Sequence, residues 1–244
     1  MDIEGRVVLV TGASAGIGLA VARLLARSGA RLALNARSRD KLEQLSRELP
    51  GSAVFPADIS DESAVREMVD HVQLRFGRLD VLINNAGRGM YCSLESMNTG
   101  EYRKLLDLNL VGPLVAMQSA VPIMRKQGGG TIVNISSGTA LMYAPGLSGY
   151  SATKRALSGL SLTARGELAS ENINVSVVYP YVTKSDFYRN WVSDGNRIEA
   201  AEEYVAPGRA PADTSEYVAE LIVKAIRTGE AEVFAHDWMR SAMK

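Results

Sequence analysis

A tyrosine and a lysine stand four residues apart in the segment GYSATKRALSGL, at positions 150 and 154. On a helix, residues at this spacing share a face, with about 5–6 Å between their Cβ atoms. A free phenol has a pKa near ~10 and exchanges protons poorly at neutral pH. A nearby ammonium favours the phenolate and lowers that pKa. The residue types and spacing of Tyr150 and Lys154 therefore suit an acid–base pair. Chance also produces this spacing in many proteins.

A glycine-rich turn, TGASAGIG (11–18), follows the apolar run RVVLV (6–10) and opens a helical pattern. Glycines in such a turn permit positive φ and close approach of a ligand to the backbone. The free N–H groups and partial positive charge of the helix N-terminus suit a phosphate. Gly12, Gly16 and Gly18 are spaced GxxxGxG rather than GxGxxG. Their place between a strand and a helix favours a nucleotide site.

The end of the second predicted strand, LNARSR, bears on the identity of that nucleotide. In dinucleotide-binding folds, an acid about 20 residues beyond the glycines binds the ribose 2′-hydroxyl. Ala36 occupies the expected acid position, and Arg37 follows it. An arginine suits a 2′-phosphate, so the sequence predicts NADP(H) as the preferred cofactor, with NAD(H) possible. The alternative is that Arg37 and Arg39 belong to an ordinary surface turn.

The elements that must position these residues alternate along the chain. Several predicted strands are apolar on both faces, as a parallel sheet covered by helices requires. We predict one α/β domain over 1–244, with a doubly wound, Rossmann-like, seven-stranded parallel sheet and helices on both faces. Strands are predicted at 6–10, 31–35, 52–58, 80–87 (strand, then loop), 131–137, 174–180 and 231–235, and helices at 18–29, 39–49, 61–77, 101–126, 149–169 and 215–229. The segment 184–212 lacks periodicity and is predicted to be a substrate lid.

Composition excludes several other classes of protein. The 244 residues carry 27 basic and 27 acidic side chains, so the basic excess of a nucleic-acid-binding surface is missing. Cys92 is the single cysteine, which fits a reducing, cytoplasmic location. No signal-peptide layout and no apolar run of ~20 residues is evident, so no membrane association is predicted. His71 and His236 stand apart from other metal-ligating residues, so no metal site is predicted.

Taken together, the motifs resemble those of the short-chain dehydrogenase/reductase family along nearly the whole chain. The matching residues are TGASAGIG (11–18), Asp58, NNAG (84–87), Asn109 in LNLVG, Ser137 after NIS, and YSATK (150–154). The order of these motifs and the distances between Asn109, Ser137 and Tyr150 also match. The resemblance implies a catalytic set in which Tyr150 is the general acid or base and Lys154 tunes it and binds the nicotinamide ribose. It further implies that Ser137 binds the substrate oxygen and that Asn109 holds a water that relays protons to Lys154.

The resemblance also implies where the cofactor binds. Asp58 and Ile59 are expected at the adenine, and the residues after the sixth strand at the nicotinamide. There the segment PYVTKSDF (180–187) departs from the family pattern, because Tyr181 replaces a glycine, Thr183 an aliphatic residue and Ser185 a threonine. The expected cofactor-binding residues are Gly12, Ser14, Ala15, Gly16, Ile17, Gly18, Arg37, Asp58, Ile59, Asn85, Ala86, Gly87, Tyr150, Lys154, Pro180, Thr183 and Ser185.

The side chains expected to face the nicotinamide carry no charge and much apolar area. They are Met90, Tyr91, Leu141, Met142, Tyr143, Leu147, Tyr181, Phe187, Tyr188 and Trp191. We therefore expect a small-molecule carbonyl compound or secondary alcohol with a largely apolar, lipid-like or aromatic body. The aromatic cluster FYRNW (187–191) fits either a substrate wall or simple packing of the lid.

Three functions fit such a chain. The first is an NADP(H)-dependent oxidoreductase acting on a carbonyl or secondary alcohol, with an NAD-preferring dehydrogenase as a variant. The second is an inactive cofactor-binding or regulatory relative, which the presence of all four catalytic residues opposes. The third is a sugar-nucleotide epimerase or dehydratase, which the GxxxGxG spacing and the short C-terminal part oppose. A homodimer or homotetramer is expected through helices 101–126 and 149–169, where Leu157, Leu160 and Leu162 suggest a second apolar face. The alternative is that these leucines pack inside one subunit.

Overall fold

The computed structural model describes residues 1–185, 187–188, 191–193 and 211–241. Most of the predicted lid, including 194–210, therefore lies outside the described residues. The strands are β1 (Val7–Val10), β2 (Arg31–Leu34), β3 (Ala53–Val54), β4 (Val81–Asn84), β5 (Met90–Tyr91), β6 (Gly130–Ile135), β7 (Ile173–Tyr179), β8 (Val192–Ser193) and β9 (Glu232–Phe234). The α-helices are α1 (Gly16–Arg27), α2 (Arg39–Glu48), α3 (Glu62–Phe76), α4 (Thr99–Leu106), α5 (Gly112–Lys126), α6 (Ser148–Leu168), α7 (Ser215–Thr228) and α8 (Asp237–Ser241).

Seven strands form one parallel sheet in the order β3-β2-β1-β4-β6-β7-β9. This confirms the predicted doubly wound, Rossmann-like sheet. The strand order reverses between β1 and β4, so the chain leaves these neighbours toward opposite faces of the sheet. Such a switch point opens a crevice at the carboxyl ends of the strands, where ligands bind.

The apolar strands are buried on both faces. In β1, Val8 and Val10 pack into a core with α1, α2 and α7, while Val7 and Leu9 pack into a second core with α3 and α5. A buried valine or leucine contributes about 1.5–3 kcal/mol, so the two cores fix the sheet from both sides. The site at its edge therefore rests on a rigid base.

Local signals set the helix ends. The Asp61 carboxylate accepts hydrogen bonds from the Ser63 and Ala64 amides at the start of α3, which ends at Gly77 with φ of 78°. The Ser38 and Thr214 side chains cap α2 and α7 in the same way. At α1, by contrast, Ala15 stands at the N-cap and offers no side-chain acceptor.

The predicted helix 101–126 is continuous from Thr99 to Lys126, with one π-helical turn at Asp107–Val111. By length and composition it could cross a membrane, although the sequence analysis found no such run. Its inner side, with Val115, Ala120 and Met124, is buried against the sheet, as in the core helix of a globular domain.

The helix α6 corrects one expectation about apolar surface. Leu157 is buried, and Leu160 and Leu162 pack against two different core clusters of the same chain. Leu157 therefore packs wholly inside one subunit, whereas Leu160 and Leu162 remain partly exposed, and assembly through this helix stays a prediction.

The sequence analysis missed a small second sheet, in which β5 pairs with β8 in parallel. The Val192 amide donates to the Gly89 carbonyl at 3.1 Å beside this pair. The residue that follows the aromatic cluster FYRNW (187–191) is thereby attached to the loop that follows β4.

Candidate active site

The turn between β1 and α1 has the properties of a phosphate site. Gly12 and Gly16 have positive φ values of 68° and 52°. No acidic side chain lies in the first turn of α1, and Ala15 leaves its amides without a side-chain acceptor. Unsatisfied N–H groups at a helix N-terminus bind anions, so this turn fits a diphosphate. A Cβ on Gly18 would overlap the Gly12 carbonyl oxygen, so Gly18 serves close packing within the turn.

A buried threonine joins β1 to β4 at the switch point. Thr11 Oγ1 donates to the Ile83 carbonyl at 3.2 Å and accepts from the amides of Asn85 and Ala86 at 2.9 and 3.0 Å. Asn85 Nδ2 donates to the Thr11 carbonyl at 2.9 Å. Asn85 therefore holds the floor of the cleft together through its amide side chain.

The end of β2 lies beside the glycine-rich turn, because the Ala13 amide donates to the Asn35 carbonyl at 2.8 Å. Arg37 follows there and is exposed, and no ion pair among the described residues involves it. Further along, the Asp58 carboxylate accepts from the Ser60 amide and hydroxyl at 2.9 and 2.7 Å. Ile59 is buried beneath this turn. The arrangement leaves a basic group at the position predicted for the ribose 2′-substituent.

The structure brings the predicted catalytic residues together. Tyr150 and Lys154 lie in the first two turns of α6 and are 5% and 4% exposed. Lys154 Nζ donates to the Ile135 carbonyl at 2.8 Å and lies 5.9 Å from the centre of the Tyr150 ring. Ser137 comes two residues after β6, and its Oγ accepts from the Thr139 amide at 3.2 Å. The hydroxyl of Ser137 is thus held at the carboxyl edge of the sheet.

Burial shifts the pKa values of both Tyr150 and Lys154. Burial raises the pKa of the Tyr150 phenol, a hydrogen bond with the Ser137 side chain opposes this, and the charge of Tyr188 adds to the increase. Burial also lowers the pKa of Lys154 to about 8. Burial therefore outweighs the hydrogen bond with Ser137 in setting the pKa of Tyr150, and the lowering of that pKa by Lys154 stays a prediction. The raised pKa favours the protonated form of Tyr150.

Asn109 lies at the centre of the π-helical turn and is fully buried. Its Nδ2 donates to the Arg88 carbonyl at 2.9 Å and to Thr153 Oγ1 at 3.1 Å, and its Oδ1 accepts from the Arg88 amide at 3.0 Å. A Cβ on Gly87 would lie 3.1 Å from Asn109 Oδ1 and 3.5 Å from Lys154 Nζ. Asn109 therefore fixes the loop beside Lys154, and its role in a proton relay stays a prediction.

Ser137, Tyr150 and Lys154 border one cleft of about 460 Å³, whereas Asn109 does not line it. The predicted residues that line it are Gly12, Ala15, Gly16, Ile17, Asn85, Ala86, Gly87, Ser137, Met142, Tyr143, Leu147, Tyr150, Lys154, Pro180, Tyr181, Thr183, Ser185, Phe187, Tyr188 and Trp191. Those predicted for the cofactor or substrate that do not line it are Ser14, Gly18, Arg37, Asp58, Ile59, Met90, Tyr91 and Leu141. The cleft thus brings together three of the four predicted catalytic residues and most of the expected cofactor contacts.

Two placements correct the expected substrate surface. Met90 is buried in a cluster with Cys92, Leu105 and Tyr150, behind the catalytic ring. Leu141 packs into the cluster that contains Tyr181 and Met239. In their place, Trp238 of α8 lines the cleft, a residue that sequence reasoning missed because nothing links its short helix to the catalytic motifs.

The aromatic segment after Ser185 serves both roles that were considered for it. The rings of Phe187 and Trp191 have their centres 6.2 and 5.7 Å from that of Tyr150, and both line the cleft. Trp191 also packs on Gly89, where any Cβ would overlap the indole. Phe187, Tyr188 and Trp191 therefore form a wall of the cleft, and packing on Gly89 holds Trp191 in place.

Comparisons with known proteins agree with this geometry. Residues 6–196 match the family model described as short chain dehydrogenase. A 3-oxoacyl-acyl-carrier-protein reductase of Thermotoga maritima is 37% identical over 184 residues, covering 74% of this chain and 75% of that protein. A 3alpha-hydroxysteroid dehydrogenase of Mediterraneibacter gnavus is 34% identical over 193 residues, covering 76% of this chain and 77% of that protein.

Among solved structures, a short-chain dehydrogenase from Streptomyces avermitilis superposes with a TM-score of 0.85 at 29% identity. The superposition covers 98% of this chain and 92% of that one. The family model spans most of the chain, and the two enzymes share more than 30% of their aligned residues with it. The chain therefore belongs to the short-chain dehydrogenase/reductase family of oxidoreductases.

Proposed function

We propose that the protein reduces a ketone or aldehyde with an apolar, aromatic or polycyclic body, using NADPH. The observation that carries this proposal is the position of Tyr150, a buried phenol next to Ser137 in an aromatic cleft, where burial raises its pKa. A protonated donor matches the needs of carbonyl reduction, in which the substrate oxygen gains a proton.

The residues of the cleft fit a nicotinamide dinucleotide. The open amides at the start of α1 would bind the diphosphate, and Gly87 leaves room beside Lys154 for the ribose. Arg37 would contact a 2′-phosphate, which favours NADPH over NADH. When bound, the cofactor supplies the hydride.

The chain itself supplies the proton and the orientation. Ser137 would donate a hydrogen bond to the substrate oxygen, where negative charge develops. Tyr150 would donate its proton to the same oxygen. Lys154, held by the Ile135 carbonyl at 2.8 Å, would stabilise the phenolate that remains. Trp191 and Phe187 cover the Tyr150 ring and would exclude water from it.

The lining of the cleft supports an apolar substrate. Of the residues that the structure describes, Lys154 contributes the only charged side chain to it. Both tryptophans of the chain, Trp191 and Trp238, line this one cleft. Flat aromatic walls favour planar or fused-ring ligands through stacking and edge contacts. The similarity to a hydroxysteroid dehydrogenase points in the same direction.

The test is a measurement of NADPH oxidation by absorbance with a panel of carbonyl compounds. The panel contains acetophenone, acetonaphthone and a ketosteroid, with a free sugar and pyruvate as polar comparisons. We expect turnover of the aromatic or polycyclic ketones only. Preference for pyruvate or the sugar would contradict the proposed substrate class.

The matched control is Tyr150→Phe, which removes only the hydroxyl. We expect turnover to fall by at least roughly 10²-fold, while NADPH still binds. Undiminished kcat in this variant would show that Tyr150 does not donate the proton.

A further inference from the structure

Tyr181 occupies a position where the family resemblance leads one to expect a glycine, and its ring is nearly buried. The ring meets His236 and Trp238 edge to face, with centres 5.5 and 5.4 Å apart and planes at 83° and 88°. The rings of His236 and Trp238 are themselves nearly parallel, at 9°. One tyrosine thus packs against two rings supplied by the C-terminal end of the chain.

The ring cluster is braced from behind. Asp213 Oδ1 lies 3.2 Å from His236 Nε2. The backbone of Asp213 is tied to the same segment as Tyr181, since its amide donates to the Val182 carbonyl at 2.7 Å and its carbonyl accepts from the Lys184 amide at 2.8 Å. The segment around Tyr181 and the segment around Asp213 therefore both contact His236.

The C-terminal helix α8 is anchored independently. Met239 is fully buried, and its methyl group lies against Gly138, the residue directly after the catalytic Ser137. Tyr217 of α7 donates its hydroxyl hydrogen to the Ala235 carbonyl at 2.6 Å. These contacts fix the position of Trp238 relative to the catalytic centre.

Tyr181 and Trp238 both line the cleft, whereas His236 lies behind them. We propose that Tyr181 and Trp238 form a fixed end wall that limits the length of the substrate body, and that they determine specificity in this enzyme. This inference rests on the proposed function, because the substrate is taken to be an apolar carbonyl compound. The braced rings cannot move aside without losing their contacts with His236, so a longer substrate is excluded.

The test compares three ketones of increasing length, acetophenone, acetonaphthone and para-acetylbiphenyl, in wild type, Tyr181→Ala and Trp238→Ala. We expect each substitution to raise kcat/KM for the biphenyl ketone relative to acetophenone by at least about tenfold, since the removed ring leaves apolar volume that the second phenyl group can fill. The same ratio in all three proteins would overturn the proposal.

The matched control is Tyr143→Ala. Tyr143 also lines the cleft but is 91% exposed, so removal of its ring creates no enclosed volume. We expect this variant to leave the ratio unchanged. An equal shift in Tyr143→Ala would assign length selection to general loss of apolar contact and would contradict the end wall.

Two further measurements separate this proposal from other roles. The dissociation constant for NADPH should stay within about threefold in Tyr181→Ala; a large loss of affinity with an unchanged length ratio would assign Tyr181 to cofactor placement.

Binding of the ketones is followed by tryptophan fluorescence in Trp191→Phe, which retains Trp238 alone. Quenching by acetophenone and acetonaphthone but not by para-acetylbiphenyl supports the end wall even if none of the ketones is reduced, and quenching by all three in proportion to ring size contradicts it.

Discussion

The exposed Arg37 guanidinium follows Ala36 at the carboxyl end of β2, beside the glycine-rich turn. A contact between arginine and phosphate is charge-assisted and contributes about 1.5–3 kcal/mol, or roughly ten- to a hundredfold in affinity. Arg37→Ala should therefore weaken NADPH binding by this factor and leave NADH binding nearly unchanged. Titration of the two cofactors against parent and variant measures the ratio.

The control for Arg37 is Arg47→Ala, which removes an exposed arginine at the far end of α2. It should leave both dissociation constants unchanged. Tighter binding of NADH than NADPH in the parent would assign Arg37 to an ordinary surface turn.

Lys154 makes the stability of the protein depend on pH. Burial lowers its pKa from 10.5 to about 8, so the folded state favours the neutral amine. The stabilising contribution is complete above the unfolded-state value of 10.5 and is lost as the pH falls through about 8. Relative to Lys154→Met, the free energy of unfolding should therefore rise by about 2 kcal/mol between about pH 8 and pH 10.

Urea unfolding of both proteins at the two pH values, without cofactor, measures this difference. Tyrosines with an ordinary pKa near ~10 are about half ionised at pH 10 in the unfolded state, while burial raises the pKa of Tyr150 in the folded state. The unfolding experiments are therefore not extended above pH 10. A pH-independent difference between parent and variant would mean that Lys154 is charged in the folded protein.

At the level of single residues, the motifs indicate which side chains meet but not how deeply they are buried. The positions of Ser137, Tyr150 and Lys154 at one cleft follow from strand ends and helical spacing. The shift in the pKa of Tyr150 does not follow from these patterns, because its direction depends on how completely Phe187 and Trp191 cover the ring. Burial by a distant segment is a property of the fold and leaves no local sequence pattern.

The π-helical turn at Asn109 shows what a closer inspection of the sequence could have found. Proline lacks an N–H, so Pro113 cannot donate to the carbonyl of Asn109 four residues earlier, as an α-helix would require. The Gly112 amide instead donates to the Asp107 carbonyl, five residues back. π-Turns within helices occur frequently at functional sites, and this one places Asn109 beside Lys154, the predicted catalytic lysine.

The attachment of the aromatic segment can be tested at Gly89. Because a Cβ there would overlap the Trp191 indole, Gly89→Ala should displace Trp191 from Tyr150 and separate β8 from β5. An aromatic contact contributes about 0.5–1.5 kcal/mol, so KM for an aromatic ketone should rise roughly two- to tenfold. Steady-state kinetics and tryptophan emission measure the two effects.

Gly166→Ala is the control for Gly89, since a Cβ at Gly166 meets open space. It should change neither KM nor emission. Wild-type KM in Gly89→Ala would show that the position of Trp191 does not matter for substrate binding.

The pairing of β5 with β8 could not be predicted, because two-residue strands are too short to show alternation.

At the scale of the whole molecule, the outer surfaces of α4, α5 and α6 bear on assembly. Leu106, Leu110 and Leu114 lie one turn apart on the long helix and are only half-buried. Gly159 on α6 is exposed, and a Cβ there would meet no atom within 4 Å. An apolar stripe beside a flat helix surface suits pairing of two copies, so we expect a homodimer or a larger even assembly.

Gly159→Arg should disrupt that assembly without unfolding the subunit. The added side chain points into open space in the single chain, but in a helix-to-helix interface it would place a long, charged group between the packed surfaces. Light scattering at micromolar concentration should therefore give a multiple of 26.3 kDa for the parent and a single-subunit mass for the variant. Leu74→Arg is the control, because Leu74 is 81% exposed on α3, away from α6, and its loss should leave the mass unchanged. A parent protein with the mass of one subunit would show that the half-buried leucines lie on the surface of a monomer.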